Sequence, residues 1–170
     1  MKKMYGFIKK GVKKVLSFVI PIEFRSVWDF LSERVSYTVR DGDMKLTFEL
    51  DEDDEDFIIA SKVEKKGRFQ VITRVRSDDE DELKDRVRQN LGVDVEFCDI
   101  CGKPYLKGYT SIFGDFHSCE GCLDTYMDLL YPNGWRHIAR EGRNHFLCCD
   151  AKGRCFDPGI YRSDMPVQRA

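Results

Sequence analysis

The sequence predicts an α+β protein: helices with a four-stranded antiparallel sheet, followed by a small metal-stabilised domain. Three observations carry this. Apolar residues alternate at period two through residues 35–75, punctuated by Asp41-Gly42 and Lys65-Lys66-Gly67. Segments with helical apolar spacing flank that stretch on both sides. All seven cysteines lie beyond residue 97, four of them in two CxxC pairs. The expected division is an α+β domain over residues 1–91 and a zinc-binding domain over residues 92–170. With 42% hydrophobic residues and 12% aromatics, the chain has the apolar content a folded core requires. No apolar run approaches the roughly 18 residues of a membrane span. The net charge of −2 argues against bulk packaging of nucleic acid.

At the amino terminus, residues 2–20 plot as a basic amphipathic helix. Met4, Tyr5, Ile8, Val12, Val15, Leu16, Phe18 and Val19 fall on one half, and Lys2, Lys3, Lys9, Lys10, Lys13 and Lys14 on the other. Two roles fit: a cap on the protein's own core, favoured by Gly6 and Gly11, or a contact with a membrane surface or another anionic partner. Pro21 ends the pattern, and a second helix is expected from Ile22 to Glu33 with Phe24, Trp28 and Leu31 inward.

Val35, Tyr37 and Val39 then line one face of a strand, Arg40-Asp41-Gly42-Asp43 turns it, and Met44, Leu46, Phe48 and Leu50 line the return. A second hairpin runs from Phe57-Ile58-Ile59 to Phe69, Val71, Thr73 and Val75. Ser77 is the expected cap of a helix over about 78–91, with an acidic first turn, Leu83, Val87 and Leu91 inward and Gly92 closing it. The acidic runs Asp51 to Asp56 and Asp78 to Glu82 read as a solvated loop and a favourable helix start. The first lacks the alternating ligands and central Gly of an EF-hand.

The cysteines point to metal chemistry. A disulfide scaffold spreads its bridges along the chain and follows a secretory signal. Here the first 97 residues hold no cysteine, and the apolar stretch Val15 to Ile22 contains Pro21 with no small-residue cleavage site after it. The expectation is a reducing, cytoplasmic compartment, with peripheral membrane association through the basic helix as an alternative. Cys98, Cys101, Cys119 and Cys122 form C-x2-C-x17-C-x2-C. Each pair can aim two thiolates at one ion, and two pairs complete a closed tetrahedral shell, the structural form of zinc. Buried apolar cysteines are the alternative. A thioredoxin-like role is disfavoured, because no βαβ pattern surrounds either pair. Cys148, Cys149 and Cys155 with His145 are candidates for a second zinc site, His117 and His137 being further possible partners. Adjacent Cys148 and Cys149 face opposite ways if this segment is a strand, so the same residues fit a sulfur-rich cluster under Trp135 and Phe146. A cross-braced set, with Cys148 or Cys155 replacing one of the first four, is a third arrangement.

Cys101-Gly102-Lys103-Pro104 resembles a zinc knuckle, Tyr105 to Phe116 suits a hairpin, and Cys119 to Leu130 reads as a helix carrying the second pair. Together these resemble a treble-clef zinc finger. The spacing is similar to that of GATA-type fingers, as is Gly114 to Cys122 followed by Asn133-Gly134, over about residues 96–135. The resemblance implies a four-cysteine zinc and, in that family, DNA reading through the hairpin and a basic tail. The chain has Gly108 to Ile112 where the family carries a Trp-Arg-Arg cluster, and no long basic tail follows.

No Walker loop, dinucleotide fingerprint, HExxH or Gly-x-Ser-x-Gly elbow is present. His117, Asn133 and His137 or His145 stand in the order of a His-Asn-His nuclease, yet Cys119 and Cys122 interrupt the active-site loop. The sequence therefore predicts a non-catalytic, zinc-stabilised regulatory or adaptor protein with a protein partner. Nucleic-acid binding through Lys103, Lys107, Arg136, Arg140 and Arg143 is the alternative, although residues 92–170 hold 9 basic against 11 acidic residues.

Overall fold

The computed structural model describes residues 24–111, 116–140 and 143–162, with the backbone alone at 138–140 and 143–145. The expected amphipathic helix over residues 2–20, with Lys9, Lys10, Lys13 and Lys14, lies outside the described residues.

Helix α1 spans Val27–Ser32, shorter than the apolar pattern predicts. Phe24 and Arg25 are not helical. Ser26 caps the helix: its side chain accepts from the Asp29 amide, and the Asp29 carboxylate accepts from the Ser26 amide. Strands β1 (Tyr37–Asp41), β2 (Met44–Leu50), β3 (Ile58–Lys66) and β4 (Phe69–Ser77) pair antiparallel in the order β1-β2-β3-β4. The turns close at Asp41↔Met44 and Lys66↔Phe69, where the Asp-Gly and Lys-Gly signals stand. The register aligns Tyr37, Phe48, Ala60 and Val75 across all four strands on the face that carries the core.

Three residues of the apolar alternation are exposed to solvent. Val35 precedes β1 and is 94% exposed; Phe69 is 77% exposed. Val71 is also exposed. For Phe69 and Val71 the cause is register: β2 pairs with β3 only as far as Lys62, so beyond that point β3 and β4 continue as a two-stranded ribbon with no third strand beside it.

Helix α2 (Glu80–Arg86) runs into a π-helical turn over Val87–Leu91. Its cap is Asp79, not Ser77: the Asp79 carboxylate accepts from the Glu82 amide. Ser77 instead donates to the Glu82 carboxylate and accepts from the Asp79 amide. Lys62 donates to the Leu91 carbonyl at 2.7 Å, a cation on the carbonyl end of this helical segment. Leu83, Val87 and Leu91 are buried as their spacing predicts. They join Val27, Leu31, Leu46, Phe48 and Ile58 in the first core, where each large side chain removed from water contributes about 1.5–3 kcal/mol. Val93, Val95 and Phe97 belong to that same core, with Phe97 edge-on to Phe48 at 5.8 Å. The residue before the first metal-type cysteine is thus anchored in the sheet domain.

The remainder is richer in strand than the sequence predicts. Strands β5 (Glu96–Phe97) and β6 (Pro104–Tyr105) form a two-stranded ladder. Strands β7 (Gly108–Ser111) and β8 (His117–Cys119) form the expected hairpin, and α3 spans Glu120–Leu130. Then come β9 (Trp135–Arg140), β10 (Arg143–Cys149), β11 (Cys155–Phe156) and β12 (Ile160–Arg162). The second sheet runs β11-β10-β12-β7-β8, with β9 also on β10. Strand β9 occupies one edge of β10, while β12 and β11 share the other, at His145 and at Cys148–Cys149. Helix α3 buries Leu123, Tyr126 and Met127 against Phe146, Cys148 and Ile160 in a second core. Phe116 stacks on Tyr126 at 4.2 Å, and the Trp135 indole donates to the Asp128 carboxylate at 2.7 Å. No helix among the described residues is long and apolar enough to cross a membrane.

Candidate metal centre

The first cysteine pair sits on a knuckle closed by three backbone devices. The β5–β6 ladder pairs Phe97 with Pro104, the Cys98 amide donates to the Lys103 carbonyl (3.0 Å), and the Gly102 amide donates to the Cys98 carbonyl (2.8 Å). Gly102 has φ +74°, and a Cβ there meets the Ser26 carbonyl oxygen at 2.0 Å. Only glycine meets both demands. The Arg25 amide donates to the Ile100 carbonyl at 3.1 Å, so the knuckle is stitched to the chain entering α1.

The second pair arrives on different elements. Cys119 ends β8, opposite Gly108 of β7, and is also the N-cap residue of α3. A Cβ at Gly108 meets the Tyr105 ring at 2.3 Å and the Ser118 carbonyl at 2.4 Å, so this close approach also requires glycine. Cys122 follows in the first helical turn, three residues on and therefore on the same side.

The four Sγ atoms lie within 4.8 Å of one another, with Cys101 and Cys119 3.9 Å apart. A tetrahedral ion with ligand sulfurs at about 2.3 Å gives sulfur–sulfur edges of roughly 3.8 Å, so the cluster can hold a metal ion. Cys98 and Cys119 are buried, Cys101 and Cys122 half-buried. Among the described residues this is the group in which three or more potential ligands converge. Neither Cys148 nor Cys155 joins it.

The electrostatics show four thiols sharing charge. The Cys101 thiol pulls Cys98 down to about 6, and Cys119 is lowered by the same neighbour and by Cys122. In return Cys119 holds Cys101 protonated and Cys101 holds Cys122 protonated, since four adjacent thiolates cannot coexist without a cation. For Lys103 burial is the largest single influence and opposes the charge, but the combined attraction of its neighbours, Cys119 foremost with Cys101 and Cys122, outweighs it and the ammonium is favoured. The amino end of α3 adds a favourable dipole for thiolates.

One positioning residue escapes the sequence pattern. Asp99, inside the first CxxC, is 6% exposed. Its amide donates to the His117 carbonyl and its carboxylate accepts from the His117 amide, both at 2.8 Å. These bonds tie the knuckle to β8 two residues before Cys119. An acid between two ligand cysteines is the signal that marks it. Asp99→Ala leaves the partly buried His117 amide without this acceptor, a loss of about 1–3 kcal/mol. The expected result is a lower melting temperature and weaker metal retention in competition with a chelator, with the first sheet's circular dichroism retained.

The other candidate residues are dispersed. Lys107 lies 3.3 Å from Asp41, and it lines with Lys103, Tyr37 and Arg40 a cleft of about 370 Å³. Arg136 lies on β9, and the backbones of Arg140 and Arg143 are register partners at the far end of the β9–β10 hairpin. His117 lies on β8 with Nδ1 3.6 Å from Glu96, Asn133 lies in the turn before β9, and the His137 ring packs 5.1 Å from Phe146. Cys148 is buried in the second core, where burial pushes its thiol up to about 11. Cys149 instead lies beside Cys155 across β10–β11. His145 pairs through its backbone with Ile138 and Tyr161. No protein-family model matches the chain, and neither curated proteins nor solved structures gave a match.

Proposed function

We propose that the cysteine cluster binds one zinc ion in a treble-clef arrangement, and that the protein is a non-catalytic regulatory or adaptor protein working through protein–protein contact. The observation that carries the proposal is convergence of four thiols from a knuckle and a helix start. Four protein sulfurs fill a tetrahedral ion, leaving no position for water or substrate, so the metal's role is to hold structure. What it holds is a bridge: the knuckle is anchored through Phe97 and Arg25 to the first core, and α3 belongs to the second. Protein contact is supported by the β3–β4 ribbon, which exposes apolar side chains on both faces, Phe69 and Val71 on one and Ile72 with its cross-strand partner Val63 on the other. Apolar surface of this kind is what a protein partner covers.

The test is capture of partners by cross-linking to the zinc-loaded full chain and to a Phe69→Ser/Ile72→Ser variant of matched zinc content and melting temperature. The expected result is a protein bound by the native chain and weakened about tenfold or more in the variant. Retention on nucleic acid that falls steeply with salt and ignores this variant favours the basic-residue reading instead. Cleavage of DNA with magnesium, manganese or zinc contradicts the non-catalytic assignment.

A further inference from the structure

Cys149 and Cys155 occupy directly opposed positions of β10 and β11. The Cys149 amide is committed to the Gly134 carbonyl on the other edge of β10, at 2.9 Å. Toward β11 the two cysteines are therefore a non-hydrogen-bonded pair, the close kind, whose Cα atoms stand about 4.5 Å apart. That separation falls in the range a disulfide spans, about 4.4–6.8 Å. The sulfurs are already 3.1 Å apart. The loop between them is fixed rather than slack: Asp150 exchanges backbone bonds with Arg154 and Gly153, and its carboxylate accepts from the Lys152 and Arg154 amides and from the Arg154 side chain. Cys155 is exposed, so a soluble reagent reaches it. Cys148, on the opposite face, is buried among apolar side chains and out of reach.

We propose that Cys149 and Cys155 form a reversible dithiol–disulfide site, separate from the four-cysteine cluster, that a small-molecule disulfide such as oxidised glutathione closes. The Cys155 thiolate attacks one glutathione sulfur, forming a mixed disulfide and releasing one glutathione thiolate. Cys149, after giving its proton to solvent, attacks the Cys155 sulfur and expels the second glutathione. Two protein thiols are oxidised to one disulfide, and one glutathione disulfide is reduced to two thiols, which take up the protons. The hairpin geometry places the resolving sulfur beside the attacked one, so the mixed disulfide is short-lived in the native chain. The closed form covalently staples β11 to β10.

The test uses the zinc-loaded full chain equilibrated with mixtures of oxidised and reduced glutathione, quenched by alkylation and mapped by peptide mass spectrometry. The expected product is a single disulfide linking Cys149 to Cys155, with full zinc retained and reversal by excess reduced glutathione. Cys149→Ser should accumulate glutathione on Cys155 severalfold above the native chain, because the resolving thiol is gone. The proposal is overturned if both thiols of the native chain stay alkylatable in the most oxidising mixture, or if the disulfide formed joins other cysteines. It is equally overturned if the native chain binds two zinc ions and Cys149→Ser only one, since the pair is then a metal site.

Discussion

Cys119→Ser is expected to release the metal and unfold the region from Cys98 to the end of β12, while the first sheet and its helices keep their circular dichroism. Cys119 holds three roles at once: proposed ligand, last residue of β8 and N-cap of α3. Serine preserves the strand and caps a helix well, so the substitution isolates the sulfur. Structural zinc contributes about 10–16 kcal/mol of apparent binding free energy in small domains, which for such domains is folding free energy. The second core, built on six buried residues, offers little to replace it. Loss of one thiolate should therefore weaken metal retention by orders of magnitude and abolish amide protection from Cys98 onward. Full metal content with an unchanged melting curve contradicts the assignment. The same substitution at Cys155, which is not among the converging sulfurs, should leave metal content intact.

Gly102→Ala carries the second-largest expected effect, about 2–5 kcal/mol. Two penalties combine. A left-handed conformation costs a residue with a Cβ about 1–2 kcal/mol. The new methyl also meets the Ser26 carbonyl oxygen at 2.0 Å and its carbon at 2.6 Å. Relief requires moving backbone, at a further cost of about 1–3 kcal/mol. That backbone cannot move freely, because the Ser26 carbonyl accepts from the Phe30 amide while its side chain caps α1. Damage should thus appear on both sides of the contact, as fraying of α1 and as faster metal loss to a chelator. A melting temperature and chelation rate equal to the native protein's contradict this account.

The four-stranded sheet was legible because alternation and turn chemistry agree at each step from Tyr37 to Val75. Alternation reports which residues share a face, however, and not how far that face is covered. Hence Phe69 and Val71, in phase with buried Val75, still emerge into solvent where β2 no longer flanks the ribbon. The helix cap at Asp79 was missed because Ser77 is equally able to cap, and the choice depends on where β4 ends. The four converging cysteines were legible from spacing alone, since two CxxC pairs are a local signal. The second sheet was not. Strands β9 and β10 show no clean alternation, and β12 gains its place by pairing with β7, some fifty residues earlier in the chain. Asp99 likewise acquires its meaning from a strand that lies beyond the pattern containing it.

The central claim is that one zinc ion, held by Cys98, Cys101, Cys119 and Cys122, maintains the carboxy-terminal half of the molecule. Native mass spectrometry of the full chain, read together with hydrogen exchange before and after stepwise chelation, tests it most directly. One zinc per chain is expected, and its removal should deprotect residues 98–162 while β1–β4 remain protected. A chain that carries no zinc when prepared with the metal present, or whose exchange pattern is unchanged on losing it, contradicts the account.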